Sequence, residues 1–310
     1  MNTAVVAPAA VPLPNLRLAA GVTVGLIAAS IGALYTVFAR WGLQRGLHAP
    51  DLTVLRFGVA GLLTLPILAL AWRRDSAQFT RQWRVWLALC GLAGVPFGLL
   101  MFGALQFAPA SHAAVFPFAA MSVMGMLLGA WVMDDPITPR KAAGIAIVLA
   151  GLLLLSGVEA SSFSARALLG DAMFVAAGTA WAGFGILLRR HRLDPLLASA
   201  VISVSALLTY VPAYLLFTGG ARLWAAEPST FWAEVLVQGV IAGAGTLFTY
   251  AKMVTLLGPA RAAVFPALAP GLAALMAWPV LNHLPGGAEI AGLSLAIGGL
   301  LLAVTAASRR

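Results

Sequence analysis

The chain has 310 residues, of which 61% are hydrophobic and only 9% charged, with a formal net charge of +9. Soluble domains carry roughly 25% charged residues, so this composition excludes a soluble fold and points to an all-α, polytopic membrane protein. The basic excess invites a nucleic-acid reading, but no basic face stands clear of the apolar stretches, which excludes that class of partner.

The first seventeen residues are rich in Ala and Pro, carry one charge at Arg17, and are expected to form a cytoplasmic tail. The apolar stretch that follows is too long for a signal-peptide core and reads as a retained first helix. Ten apolar stretches are each of about the 20 residues a helix needs to cross a bilayer. They lie at 18–38, 52–72, 85–107, 113–133, 142–157, 171–188, 196–217, 235–257, 262–281 and 290–307. Barrel strands, about 10 residues long with alternating polarity, do not fit these lengths. With the N-terminus inside, thirteen Arg and Lys residues lie in cytoplasmic segments and four (Arg40, Arg45, Arg166, Arg222) on the other side. That positive-inside bias accounts for the charge and predicts both termini on the cytoplasmic side of a cell (inner) membrane. Cys90, the only cysteine, lies inside the third stretch and excludes an internal disulfide.

The string AAVFP occurs at 113–117 and again at 262–266. The same offset aligns Ala28-Ala29-Ser30 with Ala177-Gly178-Thr179, Arg40 with Arg189, and Leu92-Ala93-Gly94 with Ile241-Ala242-Gly243. The chain is therefore one unit written twice, at 18–157 and 165–308, each with five stretches. An odd number makes the second copy enter the membrane from the opposite side, so ten helices arranged as two inverted repeats are expected. Chains of this kind bind substrate near the midplane and work by alternating access.

These features resemble the EamA-type branch of the drug/metabolite transporter superfamily. The resemblance rests on Leu55-Arg56-Phe57, on Ser111-His112 running into the first AAVFP, on Gly170-Asp171 with Trp181, and on Gly258-Pro259-Ala260-Arg261 running into the second. One departure is Asp134-Asp135 and Asn282-His283 where family members often carry Glu after the fourth and ninth helices. The resemblance implies export of small metabolites, with amino acids as the substrate class, through a monomer or homodimer in the lipid bilayer.

Tyr35, Trp181 and Tyr250 are interior aromatics, and Ser30 and Thr179 are hydroxyls close to them in sequence. Such a cluster suits an amphipathic small molecule, such as an aromatic or other apolar amino acid, and equally suits packing between helices. Lys252 and Arg56 are the strong cations within apolar stretches, where charge is costly enough to suggest function. Either could instead snorkel to the headgroups, and Arg56 could clamp a helix end. His112 and Arg261 hold equivalent places before AAVFP, as entrance residues on opposite sides or as ordinary interfacial residues. Pro117, Pro266 and Pro270 should bend or break their helices and act as hinges or simple shape. None of the ten acids falls at mid-stretch, so ion coupling falls to a His, a Lys or a helix-end acid such as Asp171, or is absent.

No metal-ligand cluster, phosphate loop or hydrolase motif is present, so no cofactor or metal is expected. The function expected is a metabolite exporter. The alternatives are an intramembrane enzyme acting on a lipid or isoprenoid, which needs a convergent polar cluster, and a channel, which needs rings of like residues or a filter.

Overall fold

A computed structural model describes residues 14–108, 110–156, 164–257, 265–281 and 286–305. The regular structure of the described residues is all helix, as an apolar chain must be where lipid offers the backbone no hydrogen-bond partner. The first half holds α1 (Pro14–Gln44), α2 (Ala49–Arg74), α3 (Ala77–Arg81), α4 (Trp83–Ala93), α5 (Val95–Phe107), α6 (Ala110–Met133) and α7 (Pro139–Ser156). The second holds α8 (Ala165–His191), α9 (Pro195–Thr218), α10 (Ala221–Ala225), α11 (Pro228–Glu234), a π-helical segment (Val235–Gly245) and α12 (Thr246–Leu257). A 3₁₀ turn (Phe265–Leu268), α13 (Ala269–Leu281) and α14 (Gly287–Thr305) complete it.

Among the described residues, six stretches are long and apolar enough to cross a membrane: Leu18–Gln44, Ala49–Arg74, Trp83–Phe107, Val115–Met133, Ala165–His191 and Pro195–Thr218. Shorter apolar helices run over Ala269–Val280 and Ile290–Gly299. Their outer faces are apolar: Trp131, Leu216 and Phe217 are more than four-fifths exposed, a surface suited to lipid. Trp72, Trp131 and Trp278 are exposed near helix ends, whereas Trp86 is buried beside Phe79.

Helix ends follow local chemistry. Asp51 Oδ2 accepts from His48 N at 2.7 Å in a capping box. Ser164 accepts from Ala167 N, and Asp194 from Leu196 N just before Pro195. Gly219 closes α9 in the left-handed conformation, φ 63°.

The two halves pack by exchange of equivalent helices. α6 lies on α8 as α1 lies on α13, and α5 lies on α8 as α12 lies on α1. α2 pairs with its own equivalent α9, and α7 with its own equivalent α14. Both self-pairs are antiparallel. A Cβ on Gly151 would fall 2.7 Å from Gly292 O, and one on Gly299 would fall 2.7 Å from Gly144 O, so late residues of each helix meet early residues of the other. Only glycine lets these backbones touch. On the other pair, Gly58 meets Val211 while Gly61 meets Ser203 O, again in opposite directions. By contrast α6 and α8 run parallel, with His112 beside Asp171 and Pro117 beside Gly178.

The halves differ at their prolines. α6 continues unbroken through the buried Pro117. In the second half, Pro266 falls in the 3₁₀ turn and the buried Pro270 in the first turn of α13, so the helix changes type there. The third stretch, expected as one helix, is two: α4 ends at Gly94, φ −92° and ψ −140°, and α5 begins with Pro96 in its first turn. Its equivalent, Gly243, lies in the π-helical segment. The carbonyl of Pro117 sits so close to Gly178 that a Cβ there would clash with it. Gly178→Ala is therefore expected to cost about 1–3 kcal/mol, as overpacking does, read as a lower melting temperature in detergent.

Candidate functional site

The middle of the bundle is built by α1, α2, α5 and α8. Tyr35 on α1 is half-buried, and the Arg56 guanidinium from α2 lies 4.6 Å over its ring. Arg56 is only 9% exposed, and its Nη1 donates no hydrogen bond within the protein. Behind Tyr35 stands Phe102, edge-on at 6.4 Å and fully buried on α5. One and a half turns earlier on α5, Phe97 packs at 5.0 Å on Trp181 of α8, which in turn packs on Phe184 at 5.2 Å. Tyr35 and Trp181 thus rest on the same buried cluster, joined through the aromatics of α5. The arrangement offers a cation with a free donor beside a string of rings, in a setting where cation–π attraction is strong because little water screens it.

Of the other residues expected here, Ser30 and Thr179 are half-buried on α1 and α8, and Lys252 is exposed on α12. The side chains of Tyr250 and Pro266, and all of Arg261, lie outside the described residues.

His112 does not line a mouth. It is fully buried on α6, its Nδ1 2.7 Å from Asp171 Oδ1 on α8, with Phe116 packed on the imidazole at 5.4 Å. Asp171 is 4% exposed. This pair ties a helix of the first half to one of the second.

Three further polar groups escaped the sequence reading because each sits near a helix end. Asp51 is fully buried, and Tyr214 from α9 donates to its Oδ1 at 2.6 Å. Tyr210 donates to Pro50 O one turn away, so α9 clamps the start of α2. Glu234 and Gln238 are fully buried at the start of the π-helical segment, and Gln238 Nε2 donates to Tyr35 O at 2.9 Å. Their four-residue spacing on one helical face was legible; their burial was not. At the end of the bundle where α1 and α5 finish and α8 begins, Arg40 and Arg166 flank a cavity of about 430 Å³. Both guanidiniums there already donate to backbone carbonyls, Leu105 O and Gln106 O.

Known proteins agree with this architecture. An uncharacterized transporter of Archaeoglobus fulgidus is 25% identical over 275 residues, covering 86% of this chain and 91% of its own length. A protein of known crystal structure superposes with a TM-score of 0.65 at 23% identity, covering 93% of this chain and 98% of its own, which speaks for the fold alone. The model of the EamA-like transporter family matches twice, over residues 19–157 and 168–305. With both halves matched in turn and paired by exchange of equivalent helices, the chain belongs to the EamA-like transporter family.

Proposed function

We propose that this membrane transporter exports small metabolites, amino acids with aromatic or other apolar side chains, by alternating access between two inverted repeats of five helices. The observation that carries the reading is the buried Arg56 with its free Nη1 above Tyr35, next to the Phe102, Phe97 and Trp181 rings. A zwitterion with an apolar side chain fits such a place: its carboxylate meets the guanidinium, and its side chain meets the rings. The antiparallel self-pairing of α2 with α9 and α7 with α14 supports inversion. The charge bias supports ten spans with both termini cytoplasmic in the inner membrane. The repeats are taken as 18–157 and 165–308.

Counterflow of labelled phenylalanine in proteoliposomes tests the reading. Saturable exchange is expected; a non-saturable flux, or none for any of the apolar amino acids, sinks it. Trp181→Ala is expected to raise the KM for counterflow about tenfold, since the half-buried ring would no longer offer its apolar face to the substrate. It also gives up two ring pairs, each worth about 0.5–1.5 kcal/mol, so a modest fall in melting temperature should accompany the change. An unchanged KM removes Trp181 from the substrate site.

A further inference from the structure

At one end of the bundle two arginines hold a third helix. Arg40, near the end of α1, donates from Nη1 to Leu105 O at 2.9 Å, and Arg166, at the start of α8, donates from Nη2 to Gln106 O at 3.2 Å. Both carbonyls lie in the last turn of α5, where a helix has no donor of its own left for them and presents the negative end of its dipole. The ends of α1 and α8 are thereby gathered onto the end of α5. Gly170 packs tightly at the same end, since a Cβ on it would stand 2.6 Å from Ala108 Cβ.

The duplication writes the same parts for the opposite end. The offset that aligns the two AAVFP strings carries Arg40 to Arg189, Arg166 back to Arg17, and Leu105 to Val254. Because α8 begins where α1 finishes, Arg189 and Arg17 belong to the far end of the bundle. Val254 lies in the last turn of α12. That helix also finishes at the far end: Glu234 stands beside Gly42 and Gly245 beside Ile31, so the chain moves away from the end of α1 as it enters α12. The side chain of Arg17 lies outside the described residues. Arg189 is exposed, and among the described residues its side chain makes no hydrogen bond, ion pair or ring contact. Arg40, its equivalent, is half-buried and bonded. Equivalent segments also differ in winding, at Gly94 against Gly243 and at Pro117 against Pro266. Two copies of one unit thus hold different conformations. Since the copies are alike in sequence, the arrangement with those conformations exchanged makes similar contacts and is a natural second state.

We propose that Arg40 and Arg189 are alternating latches. Arg40 holds shut the mouth at the end of α5. When the halves exchange conformations, Arg40 lets go, and Arg189 takes the Val254 carbonyl at the end of α12 and shuts the other mouth. The proposal rests on the alternating-access reading above and not on the identity of the substrate. Both arginines are positioning residues, which bias the two states without touching what is carried.

Double electron–electron resonance on the full-length chain in lipid nanodiscs tests the latches, in a Cys90→Ser background. Spin labels on Gln44→Cys and Leu168→Cys, exposed on α1 and α8, report the mouth beside Arg40; labels on Ala19→Cys and His191→Cys, exposed on the same two helices, report the other. Wild type is expected mainly at the short distance for the first pair and the long one for the second. Arg40→Met should move the ratio of the two states roughly tenfold toward the opposite pattern, the low end for a charge-assisted hydrogen bond with water nearby. Adding Arg189→Met should bring the ratio back close to wild type, because the two losses act on opposite states. Arg40→Lys should shift the ratio in the same sense by less, and serves in both steps should Arg40→Met fail to fold. An arginine that merely caps α5 would lower the melting temperature and leave both distance distributions unchanged, which overturns the proposal. A ratio that Arg189→Met leaves where the Arg40 variant put it also overturns it. The distances are read without substrate, so phenylalanine counterflow on the same preparations decides the substrate reading separately.

Discussion

Arg56→Met is expected to reduce phenylalanine counterflow roughly 10- to 150-fold, because a charge-assisted hydrogen bond to a substrate carboxylate is worth about 1.5–3 kcal/mol. The Arg56 Nη1 donor is free in the protein and buried, so water does not take the place of the lost interaction. Stability should move the other way or not at all. Methionine fills much of the same space without a buried charge, and replacing such a charge with apolar volume is often neutral or favourable. Arg56→Lys is expected to fall between, since an ammonium keeps the charge but not the planar fork that lies over Tyr35. Counterflow and melting temperature measured on the same preparations separate the outcomes. Full counterflow in Arg56→Met together with a large loss of stability would make Arg56 a helix clamp.

Asp171→Ala is expected to destabilise the protein by about 3–5 kcal/mol, the cost of breaking a buried pair by removing one partner. His112 is fully exchanged out of water, and its Nδ1 has Asp171 Oδ1 at 2.7 Å. Asp171→Asn keeps a carbonyl oxygen at that place and should cost less, about 1–3 kcal/mol. The double variant His112→Leu, Asp171→Leu should recover a large part of the loss, because neither polar group then remains in the apolar interior. Denaturant or thermal unfolding in detergent reads all three. Additive losses in the double variant would mean that the two side chains act separately.

Much of the architecture was legible in the sequence, for a physical reason. Lipid leaves the backbone no partner but itself, so a long apolar stretch has helix as its available form. Duplication writes that order twice, and the AAVFP strings mark it. The interior aromatics were legible for the same reason: Tyr35 and Trp181 stand out in an aliphatic chain, and the structure places both on the α5 cluster. The break at Pro266 was also legible, though not the form it would take, whereas the break at Gly94 fell inside a stretch expected as one helix.

Depth along a helix is a property of one chain segment, and sequence position measures it well. Burial is a property of neighbours. His112, Asp51, Asp171 and Glu234 all lie near helix ends, where position alone predicts contact with water or headgroups, yet all four are buried. What buries them comes from distant parts of the chain: α9 over Asp51, α6 and α8 over one another, and Gly42 beside Glu234. The sequence by itself determined the helices, the duplication and the apolar outer surface, because these follow from local chemistry and the solvent. Only the tertiary structure decided which polar groups meet, as His112 meets Asp171 and Tyr214 meets Asp51. That choice depends on which helix faces meet across the two halves, and no single helix carries that information.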